Sequence, residues 1–286
     1  MSSAVSIFAP PTLPDIDPQD FSRAAALLKK HSGIVLGEHK QDMAERALGL
    51  RAKAMGLASV TQYLHHLERY PDTAEWEAFV NVFTINHTAF FREAHHFDIL
   101  ARYVETRVRP LSIWSAACST GEEPYSIAIQ LRETLPNPDH QVSILATDID
   151  TRAIEVAESG VYTLDRVKLI PDPLLKKYFQ RGTGMRAGMA RVKSNARNMV
   201  SFEAFNLASA DWQRNTRFDV IFCRNTLIYF DKETQTQILD RFARVLKPGG
   251  LLFAGHSENL TYLTDSFRLL GQTVYELMPG GLPGRT

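Results

Sequence analysis

Cysteine is nearly absent from this chain: Cys118 and Cys223 are the two in 286 residues, and their spacing suits neither a disulfide nor a metal site. A disulfide framework is therefore excluded, and a reducing compartment suits the protein. No apolar run approaches the ~20 residues of a membrane-spanning helix, and Met1-Ser2-Ser3-Ala4 has no charged segment of the secretory type. A cytoplasmic protein without membrane insertion is expected. Neither charge sign dominates, since Lys plus Arg and Asp plus Glu number 32 each, so bulk electrostatics select no polyanionic partner. Gly-x-Gly-x-x-Gly is missing, and with it the dinucleotide fingerprint. The pairs His65-His66 and His95-His96 lack any metal-ligand context, so no metal is expected.

What is present has an order. Residues 1–17 are expected to be a flexible tail, with Pro10, Pro11 and Pro14 and few apolar anchors. Residues 18–85 read as a helical domain. Met43, Ala47, Leu50 and Ala54 recur on one face of a helix flanked by Arg46 and Lys53, with Lys40 and Arg51 along its other side. Ser59-Val60-Thr61-Gln62 is a capping box that points Tyr63, Leu64 and Leu67 inward, and Trp76, Phe79, Val80 and Phe83 mark a further amphipathic helix. Residues 86–96 hold polar side chains and two phenylalanines that a mere linker does not need, so they are expected to fold over a site in the second domain. From residue 97 to 286, strands at 111–114, 142–148, 218–223, 251–254 and 273–277 alternate with helices, which predicts a mostly parallel sheet covered on both faces. Residues 160–200 interrupt this alternation with Pro171, Pro173, Gly182, Gly184 and Gly188. That insert has nine basic side chains against two acidic ones, a net +7 in a neutral chain, and such a field draws an acidic partner. Without aromatic interleaving it does not read as a nucleic-acid surface.

The stretch Trp114–Pro124 is a strand, a small-residue loop and a helix start. Ligands of open α/β sheets lie at such loops. Glu122 and Glu123 there argue against a phosphate and for a ligand with cationic or hydroxyl groups. Asp148 ends the second strand, where an acid commonly accepts from both hydroxyls of a ribose, and Arg224-Asn225 follow the third. A ribose, an ammonium and a sulfonium without phosphate describe S-adenosylmethionine. Lys247-Pro248-Gly249-Gly250 before an apolar strand agrees with this.

The stretches Asn86–His96 (NHTAFFREAHH), Trp114–Tyr125 (WSAACSTGEEPY), Ala146–Asp150 (ATDID), Phe222–Phe230 (FCRNTLIYF) and Leu252–Asn259 (LFAGHSEN) together resemble the chemotaxis receptor methyltransferases, the CheR family, over residues 20–278. The resemblance implies a class I, Rossmann-like α/β methyltransferase domain, an N-terminal helical domain and an inserted antiparallel β-subdomain at 160–200. It implies transfer of a methyl group from S-adenosylmethionine to glutamate side chains of chemoreceptors, with S-adenosylhomocysteine as product, by a protein expected to be monomeric. Carried over by position, the cofactor contacts are Asn86, Thr88, Arg92, Glu123, Asp148, Asn206, Leu207, Arg224 and Asn225. Arg92 and Tyr229 are the candidates for orienting the acceptor carboxylate, Arg92 the stronger because a guanidinium fork suits a carboxylate. In the family, glycines spaced as Gly182, Gly184 and Gly188 mark members that dock on a peptide at a receptor's C-terminus, which makes Arg181, Arg186 and Arg191 the expected anionic contacts. Nucleic-acid methylation is disfavoured because no Asn/Asp-Pro-Pro-aromatic segment occurs. The sequence departs from the resemblance at 40–53, which has only four basic residues.

Overall fold

A computed structural model describes residues 16–71, 73–108, 110–139, 141–212 and 216–280. Residues 1–15, most of the expected tail, lie outside that set. The chain divides into two compact units, 1–84 and 85–286.

The first unit holds helices α1 (Pro18–Ser32), α2 (Gln41–Ala54), α3 (Val60–Arg69) and α4 (Ala74–Asn81). Asp17 caps α1 by accepting from the Gln19 N–H at 2.7 Å, and Ser59 caps α3 through the Gln62 N–H. Tyr63, Leu64, Leu67 and Phe79 are fully buried, as their spacing predicts. The face assigned to α2 needs correction. Ala44, Leu48, Gly49 and Ala52 are its buried residues, whereas Met43 and Leu50 are exposed. Small side chains let α2 approach its neighbours closely, so the smaller stripe wins the core. Arg51 is not a free basic residue, because its guanidinium pairs with Glu75, which also accepts from the Tyr63 hydroxyl at 2.7 Å.

The second unit is built on a seven-stranded sheet. Its parallel part comprises β1 (Leu111–Ala116), β2 (Val142–Asp148), β6 (Val200–Ala204), β7 (Phe218–Cys223) and β8 (Leu246–Ala254); β9 (Phe267–Gly271) and β10 (Val274–Leu277) run antiparallel at one side. The order is β6-β2-β1-β7-β8-β10-β9. Successive side chains of a strand face opposite ways, and the central strands sort accordingly. Ile113, Val220, Phe222, Leu251 and Phe253 belong to one core with Phe97, Leu100 and Val104 of α5 (His95–Glu105) and Tyr125, Ile127 and Ile129 of α6 (Glu122–Thr134). Trp114, Ile221 and Leu252 belong to the other. There they join Ile238, Leu239 and Phe242 of a helix over Lys232–Val245. Burial on both faces is why these strands read as continuous apolar runs. The Lys247–Gly250 segment is not a turn before a strand; it lies inside β8, at an irregular pairing with β7. The Lys247 ammonium holds it to Asp219 at 2.8 Å, and the Tyr103 hydroxyl to the Gly249 carbonyl at 3.1 Å.

Helix α7 (Thr151–Ser159) follows β2, and Asp150 caps it, accepting from the Arg152 and Ala153 N–H groups. The separate three-stranded antiparallel sheet comes next, with order β3 (Val161–Thr163), β5 (Met189–Val192), β4 (Phe179–Arg181). Phe90 packs edge-on against Tyr162 and Phe179 at 5.0 and 5.4 Å, which ties the 86–96 segment to this small sheet.

Candidate active site

The loop after β1 leaves the ordinary backbone regions repeatedly: Ala117, Ser119 and Gly121 have φ of +68°, +50° and +95°. Such strain collects where a loop serves a ligand. It brings the Ser119 N–H onto Asp148 Oδ2 at 2.7 Å, while Asp148 Oδ1 accepts from the Asp150 N–H at 2.9 Å. Burial pushes the Asp148 carboxyl up to about 6 despite these two donors. Asn86 closes the group, donating from Nδ2 to Asp150 at 2.7 Å and accepting from the Ser119 hydroxyl at 2.7 Å. The Phe205 N–H donates to the Asp148 carbonyl, and Asn206 accepts from the Ala208 N–H in the next turn, with Leu207 buried beside it. Ser119 and Asp150 thus link Asn86 to Asp148 at the carboxyl end of β2, and Asn206 and Leu207 follow the Phe205 N–H bonded there. Thr88 is half-buried in the same approach segment.

A second cluster sits beside it. Glu123, on the first turn of α6, accepts from the Ser115 hydroxyl at 2.6 Å and from Arg224 Nε at 2.7 Å. The pair is nearly sealed, with 8% and 3% of the two side chains exposed. Arg224 also donates to the Arg92 carbonyl at 2.5 Å. It is therefore a bracket joining β7, α6 and the 86–96 segment. Glu122 does not serve a ligand: fully buried, it pairs with Arg166 and accepts from the Thr120 hydroxyl, anchoring the small sheet's flank. Arg92 keeps its own guanidinium apart, donating to the His87 carbonyl at 3.0 Å. No carboxylate lies within 4 Å of it among the described residues. Asn225 has φ of +57°, and Tyr229 is half-buried in a single tight turn, Leu227–Tyr229.

Three further groups at this site, His96, Glu93 and Glu258, are set by their surroundings rather than by residue type. His96 is fully buried, and burial pushes it down to about 4; it is neutral, with Nε2 donating to the Gln272 carbonyl at 2.9 Å. Burial raises the Glu93 carboxyl, but the His256 N–H and the Arg224 guanidinium outweigh it and hold the group below the usual range. Glu93 Oε2 lies 3.4 Å from His96 Nδ1 and 3.9 Å from Arg224 yet accepts no hydrogen bond. Glu258 accepts four backbone N–H groups, from Asn225, Thr226, Leu227 and Gly255, at 2.7–2.9 Å. The signal for all three is position inside the family motifs, and nothing in residue type announces it. Glu93, His95 and His96 place ligand-type atoms within 4.8 Å of one another. The Arg224 guanidinium, 3.4 Å from His96 Nδ1, already supplies positive charge there.

In the small sheet, Arg181 and Arg191 are exposed, as is Arg186 in the β4–β5 connection. Arg191 stands between Val161 and Gln180 in register. None of the three has an acidic partner within 4 Å among the described residues, unlike Arg166, Lys168 and Lys177, which pair with Glu122, Asp165 and Glu133. Gly184 and Gly188 have φ of +57° and +87°, so the turn itself requires them.

Residues 19–84 match the family model described as CheR methyltransferase, all-alpha domain, and residues 86–276 match CheR methyltransferase, SAM binding domain. The chain is 49% identical over 257 residues to a chemotaxis protein methyltransferase of Salmonella typhimurium, covering 90% of this chain and 89% of that one. It is 49% identical over 260 residues to chemotaxis protein methyltransferase 2 of Pseudomonas aeruginosa, covering 90% and 92%. A chemotaxis protein methyltransferase of Borreliella burgdorferi is 33% identical over 257 residues, 86% and 90% of the two chains. The residues present fit S-adenosylmethionine. A buried carboxylate ends β2, a position at which open α/β sheets commonly recognise a ribose, and Glu93 Oε2 is a buried anionic acceptor without a donor. Such groups suit hydroxyl and cationic moieties and oppose a phosphate.

Proposed function

The chain belongs to the CheR methyltransferase family, whose cofactor is S-adenosylmethionine, and on that premise we propose that it methylates glutamate side chains of chemoreceptors, forming γ-glutamyl methyl esters in a chemotaxis pathway. The cofactor supplies a sulfonium-bound methyl group and leaves as S-adenosylhomocysteine. Asp148 would hold the ribose, with Asn86, Thr88, Glu123, Asn206, Leu207, Arg224 and Asn225 lining the rest. Glutamate is already ionised at neutral pH, so no general base is needed. The protein's task is to orient the acceptor carboxylate and strip water from it.

The observation that carries this reading is Arg92. It is an arginine beside a carboxylate-rich site, held by one backbone carbonyl and by no acid among the described residues. A guanidinium fork left without an anion suits an incoming carboxylate. Tyr229, one turn beyond Asn225, is the second group proposed to face the acceptor. The test is transfer of labelled methyl from S-adenosylmethionine to cytoplasmic receptor fragments of the source cell. An ester releases its label in mild alkali; alkali-stable label, or none, refutes glutamate as acceptor.

Docking is proposed at the small sheet. Its outer strands β3 and β4 are edges, to which an extended peptide can add as a strand. Arg181, Arg186 and Arg191 would pair with an acidic side chain or the terminal carboxylate of a receptor tail. Such tethering raises the local receptor concentration without touching the chemistry.

A further inference from the structure

The Glu258 carboxylate accepts from the Asn225 and Gly255 N–H groups on Oε2, at 2.9 and 2.7 Å, and from those of Thr226 and Leu227 on Oε1, both at 2.8 Å. Asn225, Thr226 and Leu227 form the loop after β7, and Gly255 starts the loop after β8. One side chain therefore fastens the two loops at the carboxyl ends of adjacent strands, which pair from Val220–Leu251 to Cys223–Ala254. It is 5% exposed, and burial raises its carboxyl above the usual range in spite of four donors. A carboxylate can be buried only where donors replace water, and here four backbone N–H groups do so.

Two features show what the clasp holds. Asn225 sits at φ +57°, in the left-handed region that asparagine tolerates better than most residues other than glycine. Gly255 is pressed against it so closely that a Cβ would lie 2.4 Å from Asn225 Nδ2 and 2.8 Å from the Asn225 backbone nitrogen. The turn beyond Asn225 carries Tyr229, whose N–H donates to the Thr226 carbonyl at 3.1 Å. The placement of Tyr229 is thus one hydrogen bond removed from the clasped residues.

We propose that Glu258 is a positioning residue for methyl transfer: by binding the N–H groups of Asn225, Thr226, Leu227 and Gly255 it fixes the loop that presents Tyr229 to the acceptor. This rests on the acceptor role proposed for Tyr229. Either oxygen of Glu258 that became an amide NH2 would face two N–H donors, so Glu258→Gln removes half the clasp while preserving size. Gly255→Ala disturbs the same loop from its other side, through the steric contact with Asn225.

The test is a double-mutant cycle on methyl transfer to a receptor fragment at saturating cofactor, with thermal melting and S-adenosylhomocysteine calorimetry as controls for folding and binding. Glu258→Gln is expected to lower kcat by about tenfold, the scale of losing one or two hydrogen bonds to a charged group. In a Tyr229→Phe background the same change should cost no more than about threefold, because coupled residues are not additive. Gly255→Ala should behave likewise and decides the matter if Glu258→Gln melts below the assay temperature. Parental kcat in a folded Glu258→Gln or Gly255→Ala protein overturns the proposal, and so does full additivity with Tyr229→Phe. Failure of the acceptor reading is separate: it appears as Tyr229→Phe with parental kcat, or as a parent chain that makes no alkali-labile product.

Discussion

With Asp148 in its proposed role of holding the ribose, cofactor affinity should fall in acid by an amount that can be calculated. The Asp148 carboxyl is raised from 3.8 to about 6 because it is buried, and the Asp150 and Ser119 N–H groups lower it only in part. Ribose hydroxyls donate to the ionised form, so binding requires a carboxylate. At pH 7 about nine-tenths of the free protein has that form, and at pH 5 about one-tenth, so affinity should fall about tenfold between them, about 1.4 kcal/mol. The sign for folding is opposite. A raised carboxyl favours the folded, ligand-free chain when protonated; that contribution is complete below pH 3.8 and lost as pH rises through about 6. Cofactor affinity and this stability contribution should therefore move in contrary directions across pH 5–7. Calorimetric titration with S-adenosylhomocysteine at pH 5, 6, 7 and 8, on the parent and on Asp148→Asn, measures it. The variant should bind about 1–3 kcal/mol more weakly at pH 7, the scale for a hydrogen bond to a charged group, and should lose the slope. Glu258 is also raised by burial, and the slope surviving in Asp148→Asn would assign it elsewhere. A flat profile in the parent refutes the reasoning about Asp148 outright.

Arg92→Ala should lower methyl transfer by more than it lowers cofactor affinity if Arg92 orients the acceptor; equal losses make it chiefly a cofactor ligand, and parental activity removes it from the site. Arg224→Met leaves Glu123 buried without its partner and should destabilise the second unit by about 3–5 kcal/mol, read as a lowered midpoint in urea; an unchanged midpoint contradicts the bracket role. An acidic–aromatic pentapeptide from a receptor tail should bind at micromolar strength, about −8 kcal/mol. Arg181→Glu with Arg191→Glu should weaken that binding by about tenfold or more through charge reversal, while S-adenosylhomocysteine affinity stays parental. The arginines are the better target than Gly184 and Gly188, whose positive φ would strain any replacement.

What the sequence determined by itself is the part governed by local periodicity and short spacing. Strands at 142–148 and 218–223 are legible to the residue because most of their side chains are buried and apolar, with Ser143, Thr147, Asp148 and Asp219 the exceptions in composition. Trp76, Phe79 and Val80 are legible because a helix facing one core repeats every three to four residues. The fold class follows from the alternation of such segments, and the five motifs together point to the family.

Tertiary structure decided whatever depended on a distant partner. Helix α2 carries two apolar stripes, and only the neighbours it packs against select Ala44, Leu48 and Ala52 over Met43 and Leu50. Strand β9 has no sequence signal because Arg268, Leu269 and Leu270 are all exposed, which leaves no alternation to read. Glu122 and Glu123 are adjacent and identical in type. Yet helical geometry turns them about 100° apart, so one meets Arg166 and the other Arg224, 44 and 101 residues along the chain. Glu258 is the extreme case. Its role is created by four N–H groups, three of them more than thirty residues away, because a backbone donor has no residue type and leaves no trace in a sequence.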